Sequence, residues 1–434
     1  MGVLKVRGFS LTRSFVVPLV ALLVAVGCAT GSSSDKGSVS VLAAWGGSEQ
    51  DSFMAMVKPF TDRTGIKINY TGTRDTSVLT TRIQAGNPPD LAGLPGPGQM
   101  YDLAKQGKLI SLDGVLDSSQ MASDYAPDWI KLGQYQGKTV GIFIKTSLKG
   151  LVWYVPKNFQ AKSYSLPKTW DDLLALQDTI KNGGTAPWCI GLASSGADGW
   201  PGTDWVKDIV LTQAGPSVYD KWAAGTQKWT TAEIKTAFQT WGTNFVNKSG
   251  YVYGGAAAMK STDFADSATP MFASPPKCYM HHQASFMSGI FVEKNPALKP
   301  TTDFSFFPMP PVTSANDGGH VVAGDLFGMF KDTTQARALM KYLVTAEAQT
   351  IWVKRGGALS ANKKVDLASY PDDLSRQMAA ILVGAKIARF DAGDLMPPAM
   401  QSAFWKAVLD YVSNPGQLDS ILTNLDKIQA DAYK

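Results

Sequence analysis

Aromatic and charged side chains occur close together at several points of the sequence, in segments whose composition indicates loops. Flat aromatic rings pack against apolar ligand faces, and carboxylate or guanidinium groups can bond two neighbouring hydroxyls at once. A pyranose sugar offers both features, so the combination suits a carbohydrate ligand. The chain has 12 tryptophans to supply such rings. The pairs that we predict as ligand contacts are Trp45 and Glu49, Arg74 and Asp75, and Trp200 and Asp204.

Each of these pairs also has a purely structural interpretation. Trp45 can be a core residue, with Glu49 in a first helical turn where the helix dipole favours an acid. Arg74 and Asp75 can form a solvated ion pair of little energetic weight. Asp204 can likewise be a first-turn carboxylate, with the tryptophan after it in the core. The sequence leaves these alternatives open.

The segments around these residues predict strands that alternate with helices. Residues 38–45 and 66–71 have the pattern of strands, and residues 53–60 between them carry apolar side chains at helical spacing. A helix near 77–84 and a strand at 90–94 repeat the pattern. Alternation of this kind indicates an α/β fold with a mostly parallel sheet. Ligands bind at the carboxyl ends of such strands, so the loops after the three strands are the expected site.

The middle of the chain predicts a second domain. Two β-like runs, 140–144 and 150–155, flank a short polar segment that we interpret as a crossing between domains. Residues 169–245 are predominantly helical in pattern and rich in tryptophan. A further strand at 320–330 and a helix at 335–355 are predicted to return the chain to the first domain.

Chain length supports two domains, because about 400 residues exceed what one hydrophobic core usually serves. We predict an N-terminal α/β lobe from residues 39–146 plus 318–355. The C-terminal lobe is predicted from residues 147–317 plus 356–434 and ends in a series of amphipathic helices. A hinge and a ligand cleft are expected between the two lobes.

The N-terminus predicts export. Residues 1–27 contain three basic residues and then the apolar run 15–26, which is shorter than the roughly 20 residues needed to span a membrane. We interpret this segment as a signal peptide. Residues 25–28, Ala-Val-Gly-Cys, resemble the bacterial lipobox, which predicts a lipid on Cys28 and a flexible tether over residues 28–38. An ordinary secreted protein without a lipid is the alternative.

Charge and histidine content exclude two classes of partner. Removal of the signal peptide takes away three basic residues and no acid, which lowers the formal net charge from +5 to +2. No basic cluster remains for a nucleic acid, and we expect no such partner. His281 and His282 are adjacent and point in different directions on any regular element, and no carboxylate or cysteine group stands at ligand spacing, so we expect no metal site. We expect no cofactor either.

Cys189 and Cys278 are the two cysteines that follow the lipidation candidate. The chain has three histidines and no CxxC spacing, which argues against a metal site, and export favours oxidation. We predict a disulfide between them. Two separate buried thiols remain the alternative.

Seven longer motifs are spread over the chain. They are TGTRD (71–75), GNPPDLAGLPGPGQM (86–100), KGLVWY (149–154), PWCIGLASSGADGWPGTDW (187–205), PMFASPPKCYMHHQASF (270–286), RFDAGDLMPPAM (389–400) and SAFWKAV (402–408). Together they resemble the extracellular solute-binding proteins of sugar ABC importers, and among them the α-glucoside-binding branch. The resemblance implies a periplasmic-binding-protein-like fold of type II, an α-glucoside or related oligosaccharide as ligand, and an ABC permease as membrane partner. It implies no enzymatic activity.

The same resemblance adds binding residues that local patterns do not suggest. It places Gln283, Asp325 and Gly357 in ligand-facing or hinge segments. It also places three residues of the closing part of the chain in the cleft, namely Arg389, Asp394 and Trp405. For Trp405, helical spacing allows a packing role instead.

Two other classes of protein compete with this hypothesis. A secreted glycoside hydrolase shares the inventory of aromatic and acidic residues, but needs two carboxylates about 5 to 10 Å apart across one bond. The adjacent acids at 171–172 and 372–373 have the pattern of helix N-terminal or surface charges rather than of such a pair. A lipid-anchored adhesin is the third class and predicts no small-molecule ligand.

Overall fold

The computed structural model describes residues 36–75 and 77–434. The predicted signal peptide, the lipidation candidate Cys28 and the predicted tether up to residue 35 lie outside the described residues. Residues 36–434 form a single unit by their internal contacts. None of the helices described in this unit is both long and apolar enough to cross a bilayer.

The described residues form twelve strands and eighteen α-helices. The strands are β1 (Ser38–Ala43), β2 (Lys67–Gly72), β3 (Leu91–Leu94), β4 (Gln134–Tyr135), β5 (Lys138–Thr139), β6 (Gly141–Leu148), β7 (Leu151–Tyr154), β8 (Ala186–Trp188), β9 (Cys278–Gln283), β10 (Ser305–Pro308), β11 (Gly319–Met329) and β12 (Ile387–Phe390). The helices of the first half are α1 (Gly47–Thr64), α2 (Ser77–Gln84), α3 (Pro97–Lys105), α4 (Ser118–Asp124), α5 (Pro127–Leu132), α6 (Pro156–Ala161), α7 (Trp170–Asn182), α8 (Trp200–Ala214) and α9 (Pro216–Ala223). Those of the second half are α10 (Ala232–Trp241), α11 (Gly255–Ser261), α12 (Met287–Lys294), α13 (Thr334–Leu343), α14 (Ala346–Arg355), α15 (Asp373–Gly384), α16 (Ala392–Leu395), α17 (Pro398–Ser413) and α18 (Leu418–Ala432).

Six strands form the first sheet. In this sheet β1 pairs in parallel with β2 and β3, while β11 pairs antiparallel with both β3 and β6 and, through its first residues, in parallel with β12. The carboxyl ends of β1, β2 and β3 therefore share one edge. Because β11 runs antiparallel to β3, with Leu326 opposite Leu94, residues 323–325 extend to that same edge.

The helix α1 forms because its apolar residues recur on one face. Phe53, Met56, Val57 and Phe60 are all buried, at the spacing of one helical stripe. The predicted alternation of strands and helices over the first hundred residues is confirmed.

The second sheet has four strands in the order β10, β7, β9, β8. In it β7 lies antiparallel to both of its neighbours, and β8 and β9 are parallel. Helices α7 to α10, α17 and α18 pack with one face of this sheet in an apolar cluster rich in tryptophan. Almost the whole of α8 is buried, including its charged residues.

The chain crosses between the sheets at Lys149 and Gly150, which link the end of β6 to the start of β7. Gly150 has a φ of +69°, and a Cβ atom there would lie 3.1 Å from a carboxylate oxygen of Asp208. A side chain would therefore crowd the buried α8 at this point. Residues 145–147, where a crossing between domains was predicted, lie within β6, and the link between the two sheets follows them. The crossing between domains stays a prediction.

One helix prediction is wrong. The segment 335–355 forms two helices, α13 and α14, because the hydroxyl of Thr345 accepts a hydrogen bond from the backbone N–H of Ala348 and starts a new helix. The closing helices at the C-terminus are confirmed as α15, α17 and α18. The predicted residue boundaries of the two lobes stay a prediction.

Candidate ligand-binding cleft

A cleft of about 190 Å³ lies at the carboxyl edge of the first sheet. One wall comes from the segments that follow β1, β2 and β3 and from residues 323–325 of β11. The opposite wall comes from the loop before α8, the start of α8, and α16 and α17. All three loops that the sequence indicated therefore line this cleft.

Glu49 lies in the first turn of α1 and anchors the charged part of the first wall. Its carboxylate contacts the ammonium group of Lys145, and Nη2 of Arg74 lies 3.4 Å from its other oxygen. Burial acts to raise the pKa of Glu49, but the positive charges of Lys145 and Arg74 outweigh burial and hold the pKa below its ordinary value. Glu49 is therefore ionised at neutral pH.

Asp325 lies opposite Lys145 on the paired strands β11 and β6. It accepts a hydrogen bond of 3.3 Å from Nε1 of Trp45, and Nζ of Lys145 lies 3.7 Å away. Burial raises the pKa of Asp325, and Lys145 offsets part of that rise. The two carboxylates of this wall thus share one ammonium group.

The ring of Trp45 belongs mainly to the core. It is 3% exposed and packs among Phe53, Phe327 and Trp352, with centroid distances of 5.6, 5.8 and 4.7 Å. The core interpretation of Trp45 therefore describes this ring better than the predicted stacking surface. Its contribution to the cleft is the indole N–H that orients Asp325.

Trp200 and Trp405 provide aromatic surface on the second wall, and both are half-buried. Trp200 packs edge-on to Phe264 at 5.0 Å between centroids, and Phe286 lies beyond at 6.1 Å. Gly199 has a φ of +102°, and a Cβ there would lie 2.2 Å from the carbonyl oxygen of Trp405. Only glycine lets α8 and α17 approach this closely, which brings the two tryptophans to the same wall.

A buried cluster of four charges lies beneath this wall. Nζ of Lys149 is 2.9 Å from carboxylate oxygens of both Asp204 and Asp391, and Nζ of Lys207 is 2.8 and 2.5 Å from the same two groups. Burial opposes the charge on both lysines, but the carboxylates outweigh it and raise their pKa values. The two lysines in turn hold the pKa of Asp391 below its ordinary value despite its burial.

Asp394 lies next to this cluster and faces the cleft. Its Oδ1 accepts a hydrogen bond of 2.9 Å from the side chain of Gln401. Burial and the negative charge of Asp391 raise the pKa of Asp394 well above its ordinary value. The two neighbouring acids therefore differ in pKa. Asp391 stays ionised more readily than Asp394, and Asp394 binds a proton more readily than Asp391.

Arg74 reaches across the cleft. Its guanidinium group lies 4.8 Å from the ring centroid of Phe264, which belongs to the segment between α11 and β9. Asp75 beside it is exposed and accepts two hydrogen bonds from Ser77, which hold the pKa of Asp75 below its ordinary value. The loop after β2 therefore contributes one group that spans the cleft and one at its rim.

Eight of the twelve residues predicted as ligand contacts line the cleft. They are Trp45, Glu49, Arg74, Asp75, Trp200, Asp325, Asp394 and Trp405. The other four, Asp204, Gln283, Gly357 and Arg389, do not line it.

Each of these four residues has a structural role elsewhere. Asp204 is 2% exposed and pairs with two lysines that do reach the cleft. Gln283 is buried, and its side chain accepts a hydrogen bond from the N–H of the next residue. Gly357 packs against the backbone of Gly289 at the start of α12. Arg389 forms a surface ion pair with Asp220 at 2.6 Å.

Sequence reasoning missed several residues that line the cleft. Lys145, Ser147 and Lys149 alternate along β6 and the residue after it, a segment (141–149) that we call the crossing strand, and this alternation puts them on one face of it. This alternation was the available signal, and it was interpreted as a domain crossing only. Lys207 and Ser194 had no local signal.

Charged side chains that line the cleft balance in number. Four are cationic and four are acidic, and two of the cations, Lys149 and Lys207, also pair with Asp204 and Asp391 beneath the wall. The cationic ones are Arg74, Lys145, Lys149 and Lys207, and the acidic ones are Glu49, Asp75, Asp325 and Asp394.

The two adjacent histidines lie on β9 of the second sheet, and both are buried. Nδ1 of His281 lies 2.9 Å from the carbonyl oxygen of Cys189, and Nε2 of His282 lies 2.8 Å from a carboxylate oxygen of Asp208. In the part of the chain that the structure describes, no three acidic, histidine or cysteine side chains are grouped as metal ligands would be.

Cys189 and Cys278 form a disulfide, with their Cα atoms 5.5 Å apart. The bond joins the residue after β8 to the first residue of β9, which are neighbouring strands of the second sheet. The predicted disulfide is confirmed, and the alternative of two separate thiols is wrong.

Comparison with known proteins agrees with this architecture. Residues 46–350 match the model of the bacterial extracellular solute-binding protein family. The chain is 38% identical over 393 residues to the Alpha-glucosides-binding periplasmic protein AglE of Rhizobium meliloti, an alignment covering 88% of this chain and 85% of that one. It is 36% identical over 402 residues to the Osmoprotective compounds-binding protein GgtB of Synechocystis sp., covering 92% and 94%.

The solved structure of the bacterial solute receptor AcbH superposes with a TM-score of 0.80 at 18% identity, covering 92% of this chain and all of that one. This likeness confirms the predicted fold class, a two-lobed α/β binding-protein fold with a helical C-terminal part. The family model matches residues 46–350, and the two relatives are 36% and 38% identical over most of their own length. This chain belongs to the family of bacterial extracellular solute-binding proteins.

Proposed function

We propose that this protein is the substrate-binding component of an ABC-type sugar importer. It captures an α-glucoside or another small, uncharged oligosaccharide in the cleft and delivers it to a membrane permease. The single observation that carries the proposal is the composition of the cleft, in which half-buried tryptophans face polar groups that are mostly ion-paired with one another. Such a surface offers ring stacking and hydrogen bonds to an uncharged ligand.

The aromatic rings of the cleft argue against a cationic ligand. The ammonium group of Lys149 lies 5.1 Å from the Trp200 centroid, and that of Lys145 lies within 6 Å of the Trp45 and Phe286 centroids. Positions where a ligand cation would bind an aromatic face are therefore close to cations of the protein itself. An uncharged polyol meets no such repulsion.

The name of one of the two relatives supports the same ligand class. One relative is described as binding α-glucosides and the other as binding osmoprotective compounds. The proposal follows the first description for the sugar and takes the second as a second source of candidate ligands. Family membership supports an extracytoplasmic location, and the lipobox-like residues 25–28 support an anchor at Cys28.

Seven of the lining residues are proposed as ligand contacts. Trp200 and Trp405 stack on the sugar, and five charged side chains bond its hydroxyls. The five are Glu49, Arg74, Asp75, Asp325 and Asp394. The two walls act as a clamp, and the contact of Arg74 with Phe264 across the cleft belongs to its closed form.

The alternative of a glycoside hydrolase is disfavoured by the state of the acids. Glu49 and Asp325 share Lys145, and the acid pairs noted in the sequence cap helices, since Asp172 and Asp372 both accept hydrogen bonds at helix starts. The ligand is therefore proposed to leave unchanged.

Calorimetric titration of the purified protein with maltose, trehalose, sucrose and glucose tests the proposal. We expect saturable binding of at least one sugar, and no binding of glycine betaine as a cationic-headgroup control. Incubation with chromogenic α- and β-glucosides should release no chromophore at an enzymatic rate. Absence of binding across the sugars, or turnover of a glucoside, would overturn the proposed function.

A further inference from the structure

Ser147 occupies the middle of the polar row on the crossing strand. It lies two residues from Lys145 and two from Lys149, on the same face of the strand, and it is 6% exposed. Its paired neighbour on β11 is Ala323, which also lines the cleft and offers no polar side chain. Among the described residues, the hydroxyl of Ser147 has no hydrogen-bond partner.

Ser194 lies on the opposite wall, in the loop between β8 and α8. Its backbone is fixed by a turn, because its N–H donates to Asp198 at 2.5 Å and its carbonyl accepts from Ala197 at 3.0 Å. The residue is 1% exposed and lines the cleft, yet its hydroxyl is buried without a partner among the described residues. The two walls therefore each hold one uncommitted serine hydroxyl.

These hydroxyls differ from the other polar groups of the cleft. Lys145 is engaged by two carboxylates, and Lys149 is engaged by two others. Groups that already satisfy one another gain less from a ligand than a hydroxyl that has no partner in the protein, because that hydroxyl can form a new hydrogen bond. A serine hydroxyl both donates and accepts, which matches another hydroxyl better than it matches a charged group.

We infer that Ser147 and Ser194 bind two hydroxyl groups of the ligand, one from each wall, and that they set which hydroxyl pattern the cleft accepts. This inference rests on the proposed function, since it concerns the same cleft. It narrows the ligand to an uncharged polyol whose two hydroxyls face opposite walls. No charged group of the ligand is required for either contact.

The test compares Ser147→Ala and Ser194→Ala with a matched control. Thr146 adjoins Ser147, is fully buried and also has an unpartnered hydroxyl, but it does not line the cleft. Thr146→Val therefore removes a similar hydroxyl away from the ligand. Calorimetry uses whichever of maltose, trehalose, sucrose and glucose the wild type binds most tightly, together with its monodeoxy analogues.

Each serine variant should weaken binding of the parent sugar by about three- to tenfold, while the Thr146→Val variant binds like the wild type. For each serine, one deoxy analogue should bind the variant and the wild type equally, because the bond is already missing. Melting temperatures within about 3 °C of the wild type exclude misfolding. Unchanged affinity in both serine variants, or equal losses for every analogue, would overturn the inference. A wild type that binds none of the sugars would instead refute the proposed function.

Discussion

Lys149 follows Lys145 by four residues along the crossing strand, and the two ammonium groups are held by acids of different walls. Lys145 pairs with Glu49 and Asp325, which belong to α1 and the first sheet. Lys149 pairs with Asp204 of α8 and with Asp391. The short link between the sheets is thus tied to each side by its own ion pairs.

The buried pairs of Lys149 predict a large stability effect. Lys149→Met introduces a side chain of similar length but leaves two buried carboxylates with one cation. This change should lower the free energy of unfolding by about 3 kcal/mol or more. Urea denaturation measures this change. Lys58→Met is the control, because Lys58 pairs with Asp62 on the surface and its loss should cost less than about 1 kcal/mol. Equal effects of the two substitutions would contradict the assigned burial.

Trp200 and Trp205 should separate binding from folding. Trp200 is half-buried at the cleft, so Trp200→Ala should weaken sugar binding more than about tenfold, or roughly 1.4 kcal/mol, with a small change in melting temperature. Trp205 is 1% exposed and packs on Trp188, so Trp205→Ala should cost about 3 to 5 kcal/mol of stability. Calorimetry and thermal melts distinguish them. A stable Trp205→Ala variant or an unaffected affinity in Trp200→Ala would refute this division.

The buried His281 predicts that the protein loses stability as the pH falls. Burial lowers its pKa to about 4 from the ordinary 6.5, so between these values the unfolded chain binds a proton that the folded protein does not. This contribution to the free energy of unfolding is fully present above about pH 6.5. It is lost as the pH falls from about 6.5 to about 4, by about 3 kcal/mol in total.

His281→Asn removes the titration and retains a donor for the carbonyl of Cys189. Urea unfolding of both proteins from pH 7 to pH 4 gives the comparison. The difference between their free energies of unfolding should change with pH in this window and be constant above it. Parallel curves throughout would show that His281 does not titrate as described.

The disulfide predicts a stability loss on removal. Cys189 and Cys278 are separated by 89 residues, and in the chain-entropy description a loop of this length contributes about 4 to 5 kcal/mol. The double variant Cys189→Ala, Cys278→Ala should therefore unfold at lower denaturant concentration. A reducing agent should destabilise the wild type and leave the double variant unchanged. Equal midpoints for the oxidised wild type and the double variant would contradict the bond.

Local patterns predicted β1, β2, β3 and the helices between them well because each is a regular unit. The spacing of Phe53, Met56 and Phe60 identified α1, and the parallel arrangement then located the site at the loops after the strands. The prediction of one continuous helix over residues 335–355 was wrong, and the reason is also local. A single threonine cap restarts the helix, and the apolar period on both sides hides the interruption.

Pairs that are distant in sequence explain most of what was missed in the cleft. Lys149 binds an acid 55 residues away, Lys207 binds one 184 residues away, and Trp45 donates to one 280 residues away. No local pattern reports such partners, so the lysines were not recognised. Gln283 and Arg389, which were chosen by resemblance alone, are engaged elsewhere in the structure.

The pairing of cationic with acidic side chains around the cleft bears on how fast a solute enters. Electrostatic steering accelerates association between charged partners, and it weakens as ionic strength rises. An uncharged sugar that enters a cleft of ion-paired groups gains little from such steering. Capture should therefore proceed at nearly the same rate in dilute and in saline surroundings, which suits a protein that works outside the cytoplasm.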